Sequence, residues 1–292
     1  MSDYIVQAAG AQDQVRIYAA DTRDLVEEAR NIHGCSPTAA AALGRLLTAG
    51  SMMGSMMKGE DDRLTVQIKG DGPAGRLLVT ARSDGSVKGY IQNPQADVPP
   101  KYRGKLDVGR LVGHGILNVI RDMGMKEPYT GSTSLVSGEI AEDLTYYFAS
   151  SEQVNSSVGL GVLIDTDGSV RQAGGFILQL MPFASDELIS RLEENLRQLP
   201  SVTSLLEDGH TPESMIRLIM KGCDVHFFDK LPAAYVCDCS MQRVEKAIIS
   251  IGKKDIQEMI DDGQPIEVGC QFCRKKYKIE VSRLKELLDN AR

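Results

Sequence analysis

Cys237-Asp238-Cys239 and, after residues 240–269, Cys270-Gln271-Phe272-Cys273 place two close pairs of cysteines near the end of the chain. Zinc takes four ligands in a tetrahedral arrangement, and a Cys-x-x-Cys turn presents two sulfurs on one side. The spacing therefore predicts one four-Cys site for a single Zn²⁺ ion per chain in the reduced protein. The predicted ligands are Cys237, Cys239, Cys270 and Cys273. Four buried free thiols, or two disulfides in a secreted protein, are the alternatives.

The sequence around the second cysteine pair indicates a β-hairpin with the cysteines at its turn. Residues 265–269 have the pattern of a short strand, and residues 276–280 that of its antiparallel return. The Cys-x-Cys half is less common in structural zinc sites, so we expect a tight and reactive arrangement. The basic residues 274–276 next to Tyr277 could mark a nucleic-acid knuckle, but the acidic remainder of the chain opposes such binding.

Length and composition limit the class of protein. The 292 residues allow one large domain and a smaller one, and the formal net charge of -7 argues against general binding of nucleic acid or anionic membranes. Four of the six cysteines belong to the predicted metal site, while Cys35 and Cys223 are interpreted as buried bystanders. This cysteine usage suits a reducing compartment, so a cytoplasmic protein is expected.

The sequence predicts no membrane segment. Residues 1–4 lack the basic and apolar regions of a signal peptide. The most hydrophobic stretch, residues 39–57, is interrupted by Arg45 and by small residues, so we expect a buried helix of a soluble protein there.

Residues 1–181 are predicted to form an α+β domain with antiparallel sheet. Residues 4–8 and 15–19 flank a polar turn as in a hairpin, and a helix rich in alanine begins at Ser36-Pro37. From residue 64 onwards most segments have the pattern of strands.

Two patterns in this region imitate catalytic or cofactor motifs. The Gly-x-Gly-x-x-Gly string at residues 70–75 leads into another strand, whereas a dinucleotide loop must lead into a helix. Glu139, Glu142 and Asp143 lack an accompanying histidine, nucleophile or metal motif, so we interpret them as a solvated helix start.

Residues 182–230 are predicted to form an amphipathic helical linker. Leucine and isoleucine recur at helical spacing from Leu188 to Leu199, and another short helix is expected after Thr211. Nine Asp and Glu residues against five Lys and Arg make the segment acidic, and it has little strand character. Such helices cannot bury an apolar stripe alone, so they must lie on a neighbour, either permanently or conditionally.

Residues 231–292 form a segment too short for a large core, so metal binding is expected to supply much of its stability. Zinc in small thiolate modules contributes on the order of 10 kcal/mol or more to folding. Oxidation of one cysteine pair to a disulfide would remove two ligands at once, and that contribution with them. Both pairs are close enough in sequence for local disulfides, Cys237 to Cys239 and Cys270 to Cys273. Unfolding of this module would free the linker immediately upstream.

Several short stretches carry a specific resemblance that covers nearly the whole chain. They are Cys237-Asp238-Cys239-Ser240, Val268-Gly269-Cys270-Gln271-Phe272-Cys273, Gly70-Asp71-Gly72-Pro73, Gly89-Tyr90-Ile91-Gln92-Asn93-Pro94, Gly138-Glu139-Ile140-Ala141-Glu142-Asp143-Leu144, Ser151-Glu152-Gln153 and Gly174-Gly175-Phe176. In these stretches the chain resembles the heat shock protein 33 family of redox-regulated chaperones.

The resemblance implies a cytoplasmic, ATP-independent holdase and no enzyme. Its parts would be an α+β core for client binding and dimerisation (1–181), the helical linker (182–230) and a four-Cys zinc redox-switch domain (231–292). The reduced, zinc-bound form would be inactive. Oxidative stress, especially with heat, would form the two disulfides, release zinc and unfold the linker. The exposed apolar surface would then hold unfolding or oxidatively damaged client proteins, with the active form a homodimer.

Two alternatives from other classes of protein remain open at this point. The first is a dithiol oxidoreductase that uses Cys270 and Cys273, although the motif follows a strand instead of starting a helix that would lower the thiol pKa. The second is a zinc-knuckle protein that binds RNA or ribosomes, which the net charge disfavours.

Overall fold

The computed structural model describes residues 3–102 and 104–290. The chain divides into two compact units, Met1–Val236 and Cys237–Arg292. Met1 and Ser2, part of the stretch predicted to lack a signal peptide, lie outside the described residues.

Strands and helices alternate along the first unit. Its strands are β1 (Tyr4–Gly10), β2 (Val15–Asp21), β3 (Arg63–Gly70), β4 (Arg76–Ala81), β5 (Ser86–Ile91), β6 (Gly115–Asp122), β7 (Tyr129–Ser134), β8 (Ser156–Ile164), β9 (Val170–Leu180), β10 (Val225–Pro232) and β11 (Ala234–Tyr235). Its helices are α1 (Arg23–His33), α2 (Pro37–Ser55), α3 (Val108–Val112), α4 (Ala141–Ser150), α5 (Asp186–Gln198), α6 (Val202–Glu207) and α7 (Pro212–Ile219). The second unit contains α8 (Met241–Ile251), α9 (Lys253–Asp261), β12 (Ile266–Gly269), β13 (Lys276–Ile279) and α10 (Val281–Asn290).

The strands form three sheets within the part of the chain that is described. One has the order β10-β1-β2-β9-β8, the second β11-β5-β4-β3-β6-β7, and the third is the β12-β13 hairpin. All pairs are antiparallel except the short contact between β11 and β5. The predicted α+β class with antiparallel sheet is confirmed, and the glycine string at 70–75 joins β3 to β4 as expected.

Helix α2 is the predicted helix of the hydrophobic stretch 39–57, and it packs against strands of both large sheets. Ser36 caps it by accepting the Ala39 N–H at 3.2 Å, and Pro37 occupies the first turn, where its missing N–H costs nothing. The helix is buried on all sides, which explains its lack of a polar face. No helix in the described residues has the length and apolarity that a bilayer crossing requires.

Two of the three acidic residues near α4 are not solvated as predicted. Asp143 is fully buried, and its carboxylate accepts the N–H groups of Val136 at 2.7 Å and Ile140 at 3.0 Å. These donors replace the water that a buried carboxylate would otherwise need. Glu139 is largely buried beside Arg45 at 2.7 Å, whereas Glu142 is exposed. The buried pair of carboxylates therefore fixes the loop before α4, a structural use that charge spacing alone did not reveal.

The linker helices cover one face of the five-stranded sheet. Side chains alternate along a strand, so Ile17 belongs to the linker side of the sheet while Tyr18 belongs to the α2 side. We call the linker side the outer face, and its buried residues are Val6, Ala8, Val15, Ile17, Ala19, Phe176 and Leu178. The linker residues buried against it are Leu188, Leu192, Val202, Leu205, Leu206, Met215, Ile216, Ile219 and Met220. The prediction that the amphipathic helices lie on a neighbour is confirmed, and that neighbour is the sheet.

Polar contacts fix the linker helices in place. The Asn195 side-chain amide donates to the carbonyl oxygens of Ile219 and Lys221, each at 2.9 Å, and so joins α5 to the end of α7. Glu213 of α7 accepts a hydrogen bond from the Tyr4 hydroxyl at 2.8 Å and forms an ion pair with Lys230.

The end of the linker is a strand, which differs from the expectation of little strand character. Strand β10 pairs antiparallel with β1 and adds the edge strand of the five-stranded sheet. In β10 only some positions are half-buried and the rest are exposed. The strand therefore lacks the regular apolar alternation by which a strand is predicted from sequence. Pairing with the backbone of β1 therefore decides the conformation of this segment, in line with the strong context dependence of strands.

We predict that Glu213 makes the docking of α7 dependent on acid pH. Burial acts to raise the pKa of Glu213, but hydrogen bonds from Lys230, from the backbone and from Tyr4 outweigh it and lower the pKa from 4.5 to about 2. An acid with a lowered pKa in the folded protein stabilises it above the unfolded pKa, and this stabilisation is lost as the pH falls from 4.5 towards about 2. Urea unfolding should show wild type more stable than Glu213→Gln above that window, with the difference vanishing below it.

Glu187→Gln is the matched control for this measurement. Glu187 also lies in the linker and pairs with an arginine, Arg191, but its side chain is 84% exposed, so its removal should leave the pH profile of wild type unchanged. Parallel profiles for wild type and Glu213→Gln across the whole window would contradict the predicted role.

Candidate metal centre

The first cysteine pair begins the second unit. Cys237 and Cys239 lie just before α8, which Ser240 caps by accepting the Arg243 N–H at 3.3 Å. Arg243 also forms an ion pair with Asp238, between the two cysteines, at 2.6 Å. The helix start and this ion pair together orient the Cys-x-Cys segment.

The second cysteine pair lies at the turn of the β12-β13 hairpin, which confirms the predicted strand and its return. The strands pair from Ile266 with Ile279 to Gly269 with Lys276. Within the turn, the Cys270 N–H donates to the Lys275 carbonyl at 2.9 Å. Arg274 adopts a left-handed conformation with φ of 61°, which reverses the chain between the strands.

The structure brings together the four sulfurs that the spacing singled out. The Sγ atoms of Cys237 and Cys270 are 3.7 Å apart, those of Cys239 and Cys273 are 3.3 Å apart, and all four lie within 4.8 Å of one another. Four sulfurs at about 2.3 Å from one tetrahedral ion would be separated by about 3.8 Å. All four are half-buried free thiols. The group could therefore hold a metal ion, and its all-sulfur donor set suits zinc.

Without a metal, three of the four thiols have shifted pKa values. Burial and hydrogen bonding to the neighbouring thiols raise the pKa of Cys237 to about 12, despite a hydrogen bond from the Cys239 N–H. Burial also raises the pKa of Cys273. Burial acts in the same direction on Cys239, but hydrogen bonds from Tyr277 and the other thiols outweigh it and lower its pKa to about 7. When no metal is bound, Cys239 is therefore much readier than Cys237 or Cys273 to become a thiolate.

The hydrogen bond from Tyr277 is a feature of the site that the sequence analysis missed. The Tyr277 hydroxyl donates to Cys239 Sγ at 3.0 Å. This bond raises the pKa of Tyr277 to about 12, so the hydroxyl keeps its proton. A tyrosine four residues after Cys273 in a short strand carries no signal of that contact, because its direction depends on the hairpin register.

The second unit has a small hydrophobic core beside this group. The buried members are Ile248, Ile256, Ile279, Leu284 and Leu287. Five buried aliphatic side chains supply little burial free energy for a unit of this length, so cross-linking by a metal would add substantially to its stability.

The two remaining cysteines lie in the first unit. Cys35 follows α1 and packs against the cluster around α2, whereas Cys223 lies between α7 and β10 and packs under the linker. Both are half-buried, and they contact different hydrophobic clusters.

Comparison with known proteins gives a consistent result over the whole chain. Residues 3–280 match the family model described as Hsp33 protein. The chain is 54% identical over 288 residues to a 33 kDa chaperonin of Lachnoclostridium phytofermentans, with 99% of both chains covered. It is 51% identical over 292 residues to a 33 kDa chaperonin of Caldanaerobacter subterraneus subsp. tengcongensis, with 100% of this chain and 99% of that one covered.

A solved structure agrees with the sequence relatives. The crystal structure of the 33 kDa chaperonin (heat shock protein 33 homolog) of Thermotoga maritima matches with a TM-score of 0.88 at 34% identity, covering 99% of each chain. The chain therefore belongs to the Hsp33 family, a family of chaperones and not of enzymes.

Proposed function

We propose that the protein is a redox-regulated, ATP-independent holdase whose reduced, zinc-bound form is inactive. The observation that carries this proposal is the burial of the linker's apolar stripe on the outer face, immediately before the four-thiol group in the chain. An apolar sheet face covered by short helices is a binding surface that can be concealed or exposed.

In the reduced state, Cys237, Cys239, Cys270 and Cys273 would bind one Zn²⁺ as thiolates. The ion supplies a four-way cross-link between the start of α8 and the β12-β13 turn, and it caps the sulfurs against unwanted reaction. Metal binding of this kind is worth about 10–16 kcal/mol in small zinc modules, which exceeds what a small aliphatic core can offer.

Oxidation would remove the cross-link. A thiolate sulfur attacks one oxygen of hydrogen peroxide, the O–O bond breaks, and the products are a sulfenic acid and hydroxide. The neighbouring thiolate then displaces hydroxide from that sulfur and forms the disulfide. We propose the pairs Cys237–Cys239 and Cys270–Cys273, supported by their closeness in sequence and by the family resemblance. The short sulfur contacts of 3.7 Å and 3.3 Å run between the two pairs, so each local disulfide requires its own two sulfurs to move closer together.

Residues 231–236 join the linker to the first cysteine of the cluster. Residues of the first unit are hydrogen-bonded up to the residue before Cys237: the Tyr235 hydroxyl donates to the Gly89 carbonyl at 2.7 Å, and the Val236 N–H donates to the Val87 carbonyl at 2.9 Å. We propose that disorder at Cys237 spreads back along the chain and breaks first these contacts of β11 and then the pairing of β10 with β1. Loss of β10 removes the Lys230 partner of Glu213 and exposes the edge of β1.

Undocking of the linker would expose the outer face and the apolar stripe together. Both surfaces are lined by aliphatic side chains, Phe176 and methionines, and they would bind apolar segments of unfolding proteins without regard to sequence. The partners we propose are unfolding or oxidatively damaged client proteins, with a homodimer as the active form in the cytoplasm and without nucleic acid or membrane as a partner.

The holdase proposal predicts that peroxide switches the activity on. Reduced protein should carry one zinc per chain and should leave a heat-unfolded client free to aggregate. After peroxide it should release that zinc and suppress aggregation without ATP, with the two local disulfides found by peptide mass spectrometry. Light scattering and a colorimetric zinc assay, run in parallel, measure both events.

Two variants control this experiment. Replacement of both Cys35 and Cys223 by serine should leave the response intact, because neither residue contributes to the four-sulfur group. Replacement of all four grouped cysteines by alanine should abolish zinc binding and the response to oxidant. A bound zinc that peroxide cannot displace, or a four-alanine variant as dormant and as responsive as wild type, would refute the proposal.

Weakening the docked linker should activate the reduced protein. Ile216 of α7 is fully buried against the outer face, and Ile216→Ala removes about 2–5 kcal/mol of packing free energy. We expect this variant to suppress aggregation without peroxide while it still retains its zinc. Leu218→Ala is the matched control on the same helix, because Leu218 is 37% exposed and its truncation should leave the reduced protein inactive. Equal behaviour of the two variants would argue against the linker as the cover.

A further inference from the structure

We propose that Tyr277 is a positioning residue that sets the oxidant sensitivity of the four-thiol group by donating its hydroxyl hydrogen to Cys239 Sγ. The inference rests on the proposed redox switch and assigns to one side chain the control of how readily that switch responds.

The Tyr277 side chain is held firmly in the second unit. It is 6% exposed, and β13 alternates so that Tyr277 and Ile279 face inward. Pairing of Tyr277 with Val268 fixes its backbone, and the Lys275 ammonium lies 5.1 Å from the centre of its ring. The hydroxyl is therefore presented to the sulfur by packing and by strand register together.

Cys239 differs from Cys237 and Cys273 in the type of hydrogen bond it receives. Cys237 receives a backbone N–H from Cys239, and Cys273 receives one from Lys275, so both bonds are built into the turns. Cys239 Sγ instead accepts a hydrogen bond from a side chain, the Tyr277 hydroxyl, at 3.0 Å. This bond can be removed by substitution without altering the course of the backbone.

A hydrogen bond to a thiolate lowers its reactivity because it occupies a sulfur lone pair. The attack on hydrogen peroxide needs such a pair: it forms the S–O bond while the O–O bond breaks and hydroxide leaves. Outer-shell hydrogen bonds also orient metal ligands and tune them. In the zinc-bound state, where all four sulfurs would already be thiolates, the Tyr277 hydroxyl therefore protects Cys239 and delays the reaction that would dissolve the cluster.

The test compares wild type, Tyr277→Phe and Lys278→Gln as zinc-loaded, full-length proteins. Each receives substoichiometric hydrogen peroxide with dimedone, which traps sulfenic acids, and mass spectrometry measures the share of adduct on each cysteine. In Tyr277→Phe the share on Cys239 should rise about threefold or more, and peroxide-driven zinc release should accelerate about three- to tenfold. Lys278→Gln should resemble wild type, because Lys278 is exposed on the same strand and the variant keeps the Tyr277 hydroxyl. An unchanged share on Cys239 in Tyr277→Phe would overturn the proposal.

Substitution of zinc by Co²⁺ gives a second readout, which applies even to a variant with lower metal affinity. Loss of a hydrogen bond raises the energy of the sulfur lone pairs, so the thiolate-to-cobalt charge-transfer band of Tyr277→Phe should move to longer wavelength. A merely structural role would leave this band in place, and an unmoved band would contradict the assignment.

Wild type that keeps its zinc under peroxide would refute the holdase switch itself. Wild type that loses it at the same rate as Tyr277→Phe would refute the role of Tyr277 alone.

Discussion

A β-sheet with apolar side chains on both faces needs a cover on each side, and this constraint organises the first unit. In the five-stranded sheet, one face packs on α2, a helix buried on all sides that no change short of unfolding could remove. The other face is covered by α5, α6 and α7, which have polar outer surfaces and contact few other elements. The two covers are therefore unequal: one belongs to the core of the molecule, and the proposed switch would withdraw the other while that core persists.

The short lengths of the linker helices explain why withdrawal would be cooperative. Helices α6 and α7 span Val202–Glu207 and Pro212–Ile219, well below the roughly 12–15 residues at which isolated helices become even marginally stable in water. They are helical because they are docked. Once the contacts of Glu213 and Asn195 are lost, the helices have no independent reason to stay folded, so undocking and unfolding become one event. Such coupling would convert a local change at the cysteines into the exposure of a whole sheet face.

Much of this arrangement could be predicted from sequence because it depends on local pattern. The cysteine spacing, the hairpin around Cys270, the Ser36-Pro37 helix start and the amphipathic stripe from Leu188 are all short-range signals, and each is matched by the structure. The failures involve partners that no periodic pattern in the sequence specifies. Strand β10 exists because β1 offers it an edge, and Asp143 is buried because a loop folds its N–H groups around the carboxylate. Neither of these contacts can be predicted from the sequence pattern around β10 or Asp143.

Tyr277 is a further contact, within the candidate site, that the sequence pattern does not predict. The spacing of four cysteines identifies a group of sulfurs, but it treats them as equivalent. The fold makes them unequal: Cys237 and Cys273 each receive a backbone N–H, whereas Cys239 receives a phenolic hydroxyl. A thiol switch needs thiolates that stay capped in the resting state yet still react with oxidant, and the metal alone treats all four alike. In the proposed switch, the contacts around each sulfur would therefore set the oxidant threshold of this chain without any change of ligand.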